Sequence, residues 1–370
     1  MTYREMNLAV FSGDPIPHPL YQPRIEPWFE WHRIFGKLPD RYRRSTVRDL
    51  YDDLDISMRY VDYYTDMPHP IERELSSKVT VRSEVAGDAM TVAYETPHGE
   101  LVERHTRTVD STWREIDFPV KKREDFPKLR WLFQNLEYSF NEAKFLTGSE
   151  YMGDRGEPQF YVPKSPYLAL AQQWMKLDTL IYALADYPED VKDLMDVIDA
   201  SYDRLYEEMG SSGLVRIINF GENLHDQLLS PRYFEEYLLP FYHKRTAQLK
   251  KAGIYSHMHL DGTFRSLLPY LKALPFDGLE ALTPAPQGDV SIEEIREHIG
   301  EKILLDGIPA IFFLPSYPED ALMSTVEQIV SLFHPRLVLG ISDEIPEGAD
   351  PQGIERVRKI AAWCRKRKAE

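Results

Sequence analysis

Five stretches in the second half of the chain repeat one layout: a short apolar run, polar groups able to do chemistry, then a helix-forming segment. The runs are Leu214–Phe220, Ile254–His259, Gly278–Leu282, Ile303–Asp306 and Leu337–Ser342. They stop, in turn, at Asn219 and Glu222, at His257, His259 and Asp261, at Glu280 and Thr283, at Asp306, and at Ser342 and Asp343. Strands that alternate with helices pair in parallel, so all their C-terminal ends lie on one face. Residues far apart in sequence are thereby expected to meet at one rim.

The rhythm reaches the C-terminus, which favours one enlarged barrel over two domains at 370 residues and 43% hydrophobic content. Leu20–Ile25, Ile56–Val61 and Phe160–Val162 add three strands to the five, the number a closed (β/α)8 TIM barrel needs. The segment from Lys78 departs from the rhythm. Val79 and Val81, then Met90, Val92 and Tyr94, then Val102 and Thr106–Val109 alternate with polar residues, and Gly87-Asp88 and Pro97-His98-Gly99 fall between them as turns. Residues 76–120 are therefore expected to form an antiparallel meander inserted beside the barrel mouth of a single domain spanning 1–370. Asp125–Glu150 reads as mostly helical.

Helix starts are marked by Thr46 with Asp49, Ser165-Pro166, Pro188, Ser230-Pro231, Ser291 with Glu294, and Asp350-Pro351. One helix is expected to bend at Pro240 and end at Gly253. A formal charge of −16 argues against nucleic acid, whose phosphates need a basic footprint. The basic cluster Arg365–Lys368 ends a helix, where it complements the dipole. The single cysteine, Cys364, fits a reducing compartment, and no segment has the length of a signal peptide or membrane span. A cytoplasmic location is the expectation.

His257, His259 and Asp261 fall on one face of their strand at period two, and Gly262 lets the chain turn away. An imidazole two residues before a carboxylate can share one ion with it. The alternative is a pair of hydrogen-bonded histidines with Asp261 capping a helix over Thr263–Leu274. Adding Asp343 and Glu222 from other strand ends gives one nitrogen and three oxygens, suited to zinc, iron or manganese; helix capping and solvation are the competing uses of such acids. Arg24 would sit where the first strand ends and suits a substrate carboxylate or phosphate, with a salt bridge to Glu26 or a rim acid as the plainer use. Glu222 and His257 join Arg24 as candidates for acid–base work at the mouth. His225, Asp226 and Gln227 are secondary candidates. Tyr21, Trp28, Phe29 and Trp31 would wall a flat ligand or simply pack in the core.

Gly221-Glu222-Asn223-Leu224, Leu229-Ser230-Pro231, Leu239-Pro240 and His259-Leu260-Asp261-Gly262 follow one another in an order that resembles the uroporphyrinogen decarboxylase and methylcobamide methyltransferase superfamily. Thr96-Pro97-His98-Gly99 with Pro119-Val120-Lys121 is similar to an inserted region of its methyltransferase-type members. The resemblance runs from about Pro19 to Pro351 and implies the barrel. It also implies a divalent metal, zinc first. Methyltransferase members hold zinc through a His-x-Cys pair and a later cysteine near Ile-Pro-Pro; the matching positions here are His259, Asp261 and Asp343, so aspartates replace both thiolates. Metal-dependent methyl transfer from a methoxylated small molecule, or with a corrinoid carried by a partner protein, is the first expectation. Decarboxylation of a porphyrinogen-like or other carboxylic acid is the second, although Arg24 is all this chain keeps of the decarboxylases' motif set. A non-catalytic corrinoid- or tetrapyrrole-binding barrel is the third, and a homodimer is the base-rate assembly.

Overall fold

The computed structural model describes residues 1–109, 111–224, 229–346 and 349–367. His225, Asp226 and Gln227 lie outside them. The strands in chain order are β1 (Leu20–Tyr21), β2 (Ile71–Leu75), β3 (Thr80–Ala86), β4 (Ala89–Thr96), β5 (Gly99–Arg107), β6 (Trp113–Asp117), β7 (Leu136–Phe140), β8 (Tyr161–Val162), β9 (Ile217–Leu224), β10 (Tyr255–Leu260), β11 (Gly278–Glu280), β12 (Ile303–Pro309) and β13 (Leu337–Ser342). Seven pair in parallel in the order β1-β13-β12-β11-β10-β9-β8. Helices follow the strands on the outside, as in a TIM barrel.

The eighth position belongs to the stretch expected as the strand Ile56–Val61. It forms no regular strand, yet it closes the barrel. Ser57 N–H donates to Tyr21 O (3.1 Å), Val61 N–H to Gln159 O (2.9 Å), and Tyr60 makes an isolated parallel bridge with Gln159. Proline at 23 and the short runs at both seams leave no room for a longer ladder there.

The N-terminus holds a helix that the absence of a long apolar run concealed. Tyr3–Ser12 starts with a Thr2–Glu5 capping box and ends at Gly13 in the left-handed region. Its Met6, Ala9, Val10 and Phe11 pack on Leu20, Ile217, Ile303, Leu305 and Val338, residues at the N-terminal ends of the strands. The helix therefore plugs the end of the barrel opposite the expected rim.

The alternating segment is a four-stranded antiparallel sheet, β3-β4-β5-β6, with the expected turns. Tyr94 and Leu101 anchor it, with the Tyr94 ring 6.0 Å from that of Trp174, while β3 is exposed along its length. Within Asp125–Glu150 the helices Phe126–Phe133 and Glu142–Met152 flank β7, which pairs with β2. The bend expected at Pro240 takes the form of a π turn over Phe234–Leu238, because proline cannot donate the next helical hydrogen bond. Capping by Thr46, Ser230, Ser291 and Asp350 is as the sequence predicts. Ser165 is different, for a reason that bears on Glu222 below. No helix among the described residues is long and apolar enough to cross a membrane.

Candidate active site at the strand C-termini

Barrel interiors are usually filled by branched apolar side chains. Here a polar layer fills the C-terminal half. Arg59 lies at its centre, almost wholly buried, and its guanidinium joins two carboxylates: Nη1 to Glu280 Oε1 (2.8 Å) and Nη2 to Asp306 Oδ1 (2.7 Å). Its Nε donates to Gln22 Oε1 (3.0 Å). Gly340 gives Asp306 its place, since a Cβ at that position would collide with the Asp306 carboxylate. Tyr60 OH donates to Glu280 (2.9 Å), and the Asn219 amide donates to Glu280 and to Tyr60 OH.

The two carboxylates titrate in opposite directions. Burial pushes Glu280 up, but the Arg59 charge and the neighbouring imidazoles outweigh it and hold the group well below the usual carboxylate range. Burial raises Asp306, and the nearby Glu280 charge adds to that against the pull of Arg59. Shared cations therefore keep Glu280 ionised first.

Two histidines rest on Glu280. His257 Nδ1 is 3.1 Å and His259 Nδ1 3.4 Å from its oxygens, both off the line of an aligned hydrogen bond, so these are electrostatic contacts first. His257 Nε2 also meets Gln159 Oε1 at 2.7 Å. Burial lowers its pKa, so the neutral ring has one proton for two acceptors. His259 differs because its other edge faces the rim: Nε2 lies 3.9 Å from Asp343 Oδ1. A carboxylate behind Nδ1 favours the proton there and leaves the Nε2 lone pair turned toward the mouth.

Arg24 completes the rim. Its Nη2 donates to Asp343 Oδ1 (2.8 Å) and its Nη1 to Tyr161 OH (3.2 Å), while Nε lies 3.9 Å from Glu280. The Tyr161 ring stacks on Tyr60 at 4.5 Å. Gly221 admits that ring, because a Cβ there would come within 2.6 Å of it. Tyr63 OH donates to Glu344 (2.6 Å) beside them.

Backbone strain collects at the same rim. Asn223, Ala281, Asp306 and Asp343 hold φ of 48°, 60°, 76° and 70°, in or just after β9, β11, β12 and β13. Left-handed backbone is unfavourable for residues other than glycine, most of all for Ala281, and persists where surrounding structure enforces it.

The structure thus brings Arg24, His257, His259 and Asp343 to one place. It does not bring Glu222 there. Glu222 shares the outer face of β9 with Phe220, whose ring packs against Tyr206, Phe241, Tyr242 and Phe276. Its carboxylate accepts Ser165 N–H (2.8 Å) and Ser165 Oγ–H (2.6 Å), and this is why Ser165 leaves its own helix uncapped. Asn219 therefore faces inward, its amide on Glu280, and Glu222 faces outward onto Ser165.

The donors at the rim are not gathered around a metal ion. Among the described residues no three His, Cys, Asp or Glu side chains converge as ligands. The Asp343 oxygen nearest His259 is the one that Arg24 grips, so a cation already stands beside it. Asp261, one residue past β10, makes its recorded bond through the backbone, N–H to Leu224 O. The expected His259, Asp261, Asp343 and Glu222 set does not fit a metal in this arrangement.

Arg59 and Tyr60 escaped sequence reasoning. The signal was there: an arginine at the centre of the apolar stretch Ile56–Val61, which only a buried counter-ion makes tolerable.

A family model described as "Uroporphyrinogen decarboxylase (URO-D)" matches residues 167–362, more than half of the chain. The chain belongs to the uroporphyrinogen decarboxylase family. No curated protein matches it. Among solved structures, a methyltransferase from Methanosarcina mazei superposes with a TM-score of 0.63 at 14% identity, over 98% of this chain and 99% of that one, which shows a shared fold. A B12-independent methionine synthase from Shewanella sp. W3-18-1 gives 0.48 at 10% identity over 86% and 85% of the two chains. A putative vitamin-B12 independent methionine synthase from Listeria monocytogenes gives 0.47 at 11% over 95% and 97%. An enzyme of the uroporphyrinogen decarboxylase family would work at the rim just described.

Proposed function

We propose that this family member is an enzyme that removes or exchanges groups on a small carboxylic acid by proton transfer, a carboxy-lyase-type reaction. One observation carries the reading. Arg24 is a buried guanidinium that turns one N–H pair toward the rim, and the Nε2 edge of His259 faces the same spot. Arg24 would hold the substrate carboxylate. On loss of CO2 the electron pair of the broken C–C bond stays on carbon, and His259, having first taken a proton from water onto the Nε2 lone pair, would deliver that proton to the carbon. Glu280, ionised behind Nδ1, would stabilise the imidazolium before transfer.

The test is release of labelled CO2 from a panel of carboxylic acids that includes uroporphyrinogen. Arg24→Gln and His259→Ala are each expected to lower turnover by about 100-fold or more. No CO2 from the panel, or full turnover in Arg24→Gln, overturns the proposal.

Methyl transfer is the second reading, favoured by His259 and Asp343 standing 3.9 Å apart at two of the three family positions. Zinc, with a corrinoid protein as methyl partner, would then require Arg24 to release Asp343. Elemental analysis separates the two readings. Stoichiometric zinc that disappears in His259→Ala favours methyl transfer, and zinc-free protein that decarboxylates favours the first.

A further inference from the structure

Resting on the carboxylic-acid reading, we infer that Asp343 is an internal stand-in for the substrate carboxylate, a latch on Arg24 that the substrate must displace. Exposure identifies the group that can leave. Arg24 and Arg59 stand against Glu280 and Asp306, and all four are buried. Asp343 is a third carboxylate beside Arg24, and its side chain is 43% exposed against 3% for Arg24. It is therefore the single acid of the group with a path to water.

Geometry agrees with the exposure. Asp343 offers Arg24 one oxygen at 2.8 Å, where a free carboxylate could offer two in the bidentate form that guanidinium favours. The latch also sets selectivity. Ligands without a negative group cannot compete for Arg24, and an anion must bind more tightly than a tethered aspartate to enter.

The probe is acetate, the smallest carboxylate, titrated calorimetrically into the whole chain. Removing an internal competitor raises apparent affinity by the inverse of the fraction already open. Asp343→Asn is expected to bind acetate at least about ten-fold more tightly than the wild type. The double variant Arg24→Gln/Asp343→Asn is expected to lose that gain, with a circular dichroism spectrum matching the single variant. Equal affinity in wild type and Asp343→Asn, or a gain that survives loss of Arg24, overturns the latch. The proposed reaction fails separately. Tight acetate binding in Asp343→Asn with no CO2 from any acid leaves the latch standing without the lyase.

Discussion

Glu280 and Glu222 are both fully buried, both sit on barrel strands, and they titrate in opposite directions. Glu280 points into the barrel, where Arg59, Tyr60, Asn219 and two imidazoles surround it, and its pKa falls well below the ordinary range. Glu222 points out into the layer between β9 and its helices. Burial raises its pKa, against the opposing pull of Lys164 and the Ser165 hydrogen bonds. Glu280 is thus held as a fixed charge, whereas Glu222 in the outer layer, like Asp306 inside the barrel, keeps its proton to a higher pH than an ordinary carboxyl. Desolvation acts on both; the density of donors decides the outcome.

Four substitutions press on that contrast. The largest effect is expected from Arg59→Met, which leaves Glu280 and Asp306 buried without their shared cation. A loss of about 3–5 kcal/mol in chemical denaturation is expected. A loss under about 1 kcal/mol would mean that the interior carboxyls neutralise freely, and the contrast with Glu222 would vanish.

Gly221→Ala comes next. It pushes a methyl group into the Tyr161 ring that carries the hydroxyl bonded to Arg24. Overpacking of this kind costs about 1–3 kcal/mol, and displacement of the ring should lower activity by more than the stability loss explains. Wild-type activity in a destabilised variant would show that Tyr161 only packs.

The smallest shift belongs to Glu222→Gln, about 1 kcal/mol or less near neutral pH, since the amide keeps an oxygen for Ser165 N–H and its NH2 can donate to the Ser165 hydroxyl. Its signature is in pH dependence. A carboxyl whose folded pKa is raised binds more protons in the native state, so its contribution weakens as pH climbs above the ordinary value of 4.5. Stability of the variant should be flatter than wild type above that point. Glu280 works in reverse: its folded pKa is depressed, so its contribution is full above 4.5 and is lost as pH falls through the depressed value. Glu280→Gln should therefore remove an acid-side loss that Glu222→Gln leaves intact. Thermal melts across pH 3–8 would show both slopes or refute their opposition.

Much of the barrel was legible because period and punctuation are local. The five C-terminal runs each become a strand, and the alternation after Lys78 becomes β3–β6. Ile56–Val61 was harder: it lies where a strand belongs but satisfies its backbone through scattered bonds to Tyr21, Arg155 and Gln159, partners a local pattern cannot show. At the site, strand ends with histidine and acid were correctly suspected of meeting, and Arg24, His257, His259 and Asp343 do meet. Glu222 was placed at the mouth because it follows an apolar run. Its facing depends on counting from Asn219 along β9, whose strand continues to Leu224, four residues beyond the apolar run.

Sequence alone settled the alternation of strand and helix, the inserted meander, and which residues stand at strand ends, since each follows from spacing along the chain. Only the tertiary structure decided that Arg59 would neutralise Glu280 and Asp306, that Arg24 would take hold of Asp343, and that Glu222 would turn away. Those pairings join residues separated by up to 319 positions. Barrel closure brings them together, and the partner a buried charge finds there fixes its ionisation and so its chemistry.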